Sequence, residues 1–209
     1  MSEKTKERSH LSRLSRWAAE LLLVFVGVYA AFWLNNYQQH RQDEDRRDRI
    51  LASIEQTLRE GIDSNNVSRA KQQQQAAEFR RALDVGEMPP LRPFVFTTDY
   101  SAGDFAALLQ SGGIQLLDLE TLTALRNDET IIRWGLSRMA RYTKLSDELI
   151  VPNADQDVSF FYDSATRKLR KRFDFYPEAL DATVRFANEL ERTHTELLKQ
   201  IQAERQLRR

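Results

Sequence analysis

The chain has 209 residues, no cysteine, and 31 basic side chains balanced by 31 acidic ones. The missing cysteine excludes disulfides, thiol nucleophiles and thiolate metal sites. The zero formal charge gives no global pull toward nucleic acid or an acidic substrate.

Residues 1–16 form a basic N-terminal tail carrying Lys4, Lys6, Arg8, Arg13 and Arg16. Residues 17–37, WAAELLLVFVGVYAAFWLNNY, read as one transmembrane helix. No charged side chain lies between Leu21 and Leu34. Residues 18–34 as helix cover roughly 26 Å, close to the ~30 Å hydrocarbon core of a bilayer. Trp17 stands at one end, Trp33 and Tyr37 at the other, as in an aromatic belt. The basic tail and Val28-Tyr29-Ala30 also fit a cleaved signal peptide, but the apolar run continues past that point and Glu20 is out of place in such a segment. Arg13 and Arg16 lie closer to the span than Arg41 does, which places the N-terminus in the cytoplasm. About 170 residues remain for one soluble domain outside it.

At helical spacing Glu20, Val24, Gly27, Ala31 and Asn35 share one stripe of the span. Gly27 and Ala31 make a small-xxx-small step, which lets a second backbone come close. An acid within a span is costly and faces protein or water. Glu20 reads as a headgroup-level residue paired with Arg16, as an interhelical contact, or as a proton- or ion-pathway residue. The stripe is the candidate interface for self-association or for another membrane protein.

These residues carry a resemblance. Glu20, Gly27, Ala31 and Asn35-Asn36 followed by an aromatic resemble the opening of an uncharacterised bacterial single-span membrane-protein family, domain of unknown function 6090. Ala19 stands where that family has a glycine, and Tyr37 where it has a tryptophan. Residues 105–114, FAALLQSGGI, are similar to a second patch of the family. The resemblance implies one N-terminal span and a helical domain, and brings no activity or cofactor.

Residues 38–63 predict a charged helical stalk entering the bundle, with Ile50, Leu51, Ile54, Leu58 and Ile62 as its apolar stripe. Gly61 and Asp63–Asn66 mark a kink or turn there. Residues 64–209 are read as a soluble helical bundle. A helix over about 65–85 ends at Gly86 and the prolines 89, 90 and 93. FVFTT at 94–98 finds no partner strand and reads as a loop. A short helix over 105–111 stops at Gly112-Gly113. Asp118 caps the next helix, which Asn127-Asp128 can interrupt and which continues to about 150. Met139, Trp134 and Tyr142 read as core or interface.

Residues 153–177 are the least regular part. Asp155 and Asp157 read as a solvated turn rather than an acid–base pair. Phe160-Phe161-Tyr162 and Phe173, Phe175 and Tyr176 pack the segment onto the bundle or line a pocket. Arg167-Lys168-Leu169-Arg170-Lys171-Arg172 is the densest basic run, either a solvated face or a surface for anionic headgroups or acidic partners. Pro177 starts the last helix, with Leu190, His194 and Leu197 in its stripe. His10, His40 and His194 cannot readily meet, which argues against a histidine metal site.

The fold class is therefore all-α: one N-terminal transmembrane helix, a stalk and a bundle of about five helices. Ile54, Leu58, Leu122, Leu136, Leu190 and Leu197 are the expected core. Nothing in the chain matches a phosphate loop, a dinucleotide fingerprint or a nucleophile elbow, so no enzyme, cofactor, metal or nucleic-acid partner is expected. The leading expectation is a single-pass inner-membrane protein whose extracytoplasmic domain serves structure or protein interaction. The alternative is a ligand-sensing bundle acting through a membrane partner. A cavity among Phe105, Trp134, Tyr142 and Phe161 would favour sensing, with Arg167 and Arg170 as further contact residues.

Overall fold

The structure, a computed structural model, describes residues 4–96 and 113–206. Its long elements are three helices: α1 Lys4–Asp84, α2 Leu119–Leu149 and α3 Phe175–Gln206. The chain divides into two units, Met1–Arg47 and Asp48–Arg209. Among the described residues there is no β-strand, only an isolated antiparallel bridge between Tyr162 and Leu169. The all-α expectation holds; among the described residues the bundle helices are longer than anticipated.

In the first unit, Leu21–Leu34 are exposed throughout. This part of α1 is long and apolar enough to cross a membrane. Trp33 and Tyr37, one turn apart, stack at 6.0 Å, and the Arg41 guanidinium lies 5.5 Å over the Tyr37 ring.

In the second unit, α1 passes Gly61 and Asp63–Asn66 without the turn expected there. Asn65 shows why: its side chain is buried and donates to the Ala187 carbonyl of α3 at 2.8 Å, so packing holds polar residues in the helix. The helix ends where Gly86, at φ 76°, takes the left-handed conformation. The Glu87 N–H reaches Ala82 O and the Gly86 N–H reaches Leu83 O, the paired bonds of a Schellman cap. The prolines beyond keep the chain from resuming a helix.

Three ion pairs fix the register of α1 against α3: Glu55 with Arg205, Arg69 with Glu191, and Arg80 with Asp181. Their numbers rise on one helix as they fall on the other, so the two run antiparallel. The apolar residues form two separate clusters. The first joins Ile50, Leu51, Ile54 and Leu58 of α1 to Leu117, Leu125, Leu197 and Ile201. The second gathers Ala76, Phe79, Phe94, Met139, Tyr142, Ile150, Phe161, Tyr162, Phe173, Phe186 and Leu190, among others. α2 begins at the first cluster and ends at the second, and so runs parallel to α1. Each fully buried apolar side chain contributes about 1.5–3 kcal/mol by transfer from water.

Of the expected core, Ile54, Leu58, Leu190 and Leu197 are buried. Leu122 and Leu136 pack against the cluster edges, half-buried. α2 is not interrupted at Asn127-Asp128, because Asp128 turns into the core. Asp118 stands at the N-cap of α2 but its side chain makes no capping bond. α3 starts at Phe175, two residues before Pro177. The expected helix over 105–111 lies outside the described residues.

Candidate functional site

The segment between α2 and α3 builds the most distinctive surface. Pro152 ends the α2 region in a short 3-10 turn, Val151–Asn153. Asp157 accepts from the Ser159 N–H at 2.9 Å and opens a second, Val158–Phe161. The Ser159 side chain foremost, and then its N–H, hold the Asp157 carboxyl below the usual carboxylate range. The chain then folds back on itself. Asp163 N–H donates to Lys168 O at 2.8 Å and Arg170 N–H to Phe161 O at 3.0 Å.

The Asp163 carboxylate organises the turn by accepting from the Thr166 N–H at 2.8 Å, the Thr166 hydroxyl at 2.9 Å and the Ala165 N–H at 3.1 Å. These bonds, the Thr166 N–H foremost, hold its carboxyl below the ordinary range. Arg167 closes the turn at φ 57°, a left-handed conformation rare for a side chain of its kind. Two buried anchors tie the segment down. Phe161 and Phe173 meet edge to face at 5.1 Å. The Tyr162 hydroxyl donates to Pro89 O at 2.6 Å. Burial pushes the Tyr162 phenol far up, so it stays a donor.

Above these anchors stand Arg167, Lys168, Arg170, Lys171 and Arg172, all exposed. Arg170 Nε donates to Tyr162 O at 2.9 Å, and its guanidinium lies 5.6 Å over the Phe160 ring. The Arg172 guanidinium sits 4.9 Å over Phe160 and 4.7 Å over Phe173. Two guanidiniums thus lie against aromatic rings, and their remaining N–H groups can meet an anion. Asp155, Asp157, Asp163 and Asp174 share the same exposed segment, so the surface is mixed, with the cations concentrated in one short run.

Of the other anticipated residues, Tyr142 and Phe161 share one apolar cluster, which Trp134 does not join. Trp134 is 64% exposed, with Arg138 5.2 Å over its ring. Tyr142 is core, edge-on to Phe94 at 6.1 Å, and Phe161 is core as described. Phe105 lies outside the described residues. In the first unit Glu20, Val24, Gly27, Ala31 and Asn35 are all exposed on α1, and a Cβ added at Gly27 would meet nothing within 4 Å.

One arrangement had no sequence signal. Asp128 and His194 are both buried, with Asp128 Oδ2 3.3 Å from His194 Nε2. On α2 the pair falls between Leu125 and Ile132, on α3 between Leu190 and Leu197, so it separates the two apolar clusters. His194 sits in the apolar stripe as expected; its facing acid was hidden in a site read as a helix interruption. Among the described residues no group of three or more potential metal ligands is found. Models of protein families, curated proteins and solved structures contain no match to this chain.

Proposed function

We propose that the protein is a single-pass membrane protein that works by binding other proteins, its helical domain displayed outside the cytoplasm. The observation that carries the reading is the run Leu21–Leu34. Leu21 is 70% exposed, Leu23 76% and Phe25 73%. In water so long an apolar run has no solvent to suit it, whereas lipid supplies one. The Trp33–Tyr37 stack at its end suits a headgroup layer, and the resemblance of residues 19–37 to domain of unknown function 6090 points the same way. The surface from Phe160 to Arg172, with its arginines held on aromatic rings, is the contact offered to a partner. The stripe of Glu20, Val24, Gly27, Ala31 and Asn35 is the contact between spans, most simply in a homodimer.

The test has two arms. Alkaline carbonate extraction should leave the full chain in the membrane pellet. Protease added to intact spheroplasts should then remove residues 38–209. Release by carbonate ends the anchoring reading, and digestion only after lysis reverses the orientation.

A further inference from the structure

We propose that a groove between α1 and the proline-rich connection binds a small amphiphilic carboxylate. The groove encloses about 350 Å³. One wall is apolar, made by Phe94, Phe96 and Leu180. Lys71 of α1 and Arg92 of the connection flank it, and no acid lines it. Neighbouring cations of α1 are neutralised across the bundle, Arg69 by Glu191 and Arg80 by Asp181. Lys71 and Arg92 have no carboxylate within ion-pair distance among the described residues. Two positive charges therefore face one cavity whose lining holds no acid.

One more polar group fits the same ligand. The Tyr176 hydroxyl accepts the Arg92 N–H at 3.2 Å, which leaves its own proton for a ligand oxygen. An apolar wall, cationic flanks and one hydroxyl donor describe a carboxylate carrying an apolar body. A free inorganic anion would leave Phe94 and Phe96 without contacts. This site does not depend on the anchoring reading, since none of its residues lies in the first unit.

The probe is N-acetylphenylalanine, titrated calorimetrically into the full chain in neutral detergent, with the heat of empty micelles subtracted. Saturable binding is expected. The neutral amide of the same compound should bind at least about tenfold more weakly, the loss of one charge-assisted contact. Lys71→Gln and Arg92→Gln should each weaken the acid about fivefold or more, while Arg141→Gln, an exposed change on α2, should leave it unchanged. Lys71 and Arg92 are exposed, so unaltered denaturation midpoints will show that both variants fold. The proposal is overturned if the acid does not saturate, if the amide binds equally well, if inorganic phosphate competes as strongly as the acid, or if the Arg141 variant loses as much as the other two.

Discussion

The ring of Phe186 on α3 lies where a side chain on residue 135 of α2 would begin: a Cβ built on Gly135 would overlap Cε2, Cδ2 and Cζ of that ring. Glycine in mid-helix costs about 1 kcal/mol against alanine, and here it is the condition for close contact between α2 and α3. Gly135→Ala should therefore destabilise the bundle by about 1–2 kcal/mol, overpacking of about 1–3 kcal/mol partly offset by better helix propensity. Phe186→Leu should relieve part of the loss in the double variant. Urea midpoints measure both, and a neutral or stabilising Gly135→Ala would mean that the ring moves aside freely.

The Asp128–His194 pair sets up a double-mutant cycle. Removing His194 alone leaves a buried carboxylate unmatched, so His194→Leu should cost about 3–5 kcal/mol. Replacing both residues by leucine should recover most of that, because two apolar side chains join the flanking clusters. Chemical denaturation of the four chains gives the coupling energy. Additive single effects would mean the two groups do not act as a pair.

Acid sensitivity should centre on Glu55. The Arg59 guanidinium foremost, then Gln202 and Arg205, pull its carboxyl down from 4.5 to about 2. A carboxyl lowered in the folded state stabilises it above the unfolded value, and that stabilisation drains away as pH falls through the folded one. Glu55→Gln should thus be less stable than the parent at pH 7. The gap should narrow between about pH 4.5 and 2. Urea midpoints at neutral and acid pH check this, and a gap independent of pH refutes it.

Arg167 offers a separable change. Arg167→Gly should raise stability by about 0.5–1 kcal/mol, the left-handed strain of about 1–2 kcal/mol less the greater unfolded freedom of glycine. The same change removes one cation from the surface assigned to a partner. A lower thermal midpoint would show that the side chain contributes more to the fold than its backbone conformation costs.

How far the sequence could be read depends on whether the signal was periodic. Ile54, Leu58, Leu190 and Leu197 were legible because a helix buries one face and repeats it. The Gly86 stop was legible from glycine and proline chemistry alone. Asn65 was misread because short polar side chains favour turns locally, and only a carbonyl on α3, distant in sequence, makes the helical alternative better. Gly135 and the Asp128–His194 pair share that cause, since each has meaning only beside a residue of another helix. Trp134, read as core or interface, lies on the surface under Arg138, because aromatic type alone does not say which face of a helix is covered.

Because Asn65, Asp128 and His194 interrupt the apolar interior, the two ends of the bundle should open locally with different free energies before the whole unfolds. The smaller cluster around Leu51 and Ile201 can open while the larger one around Phe173 stays closed. Amide hydrogens should then exchange in two classes, the slower at the end where Tyr162 and Phe161 clamp the basic turn. The arginines of the basic turn would ride on the stiffer half, so that fraying at the other end leaves their geometry intact.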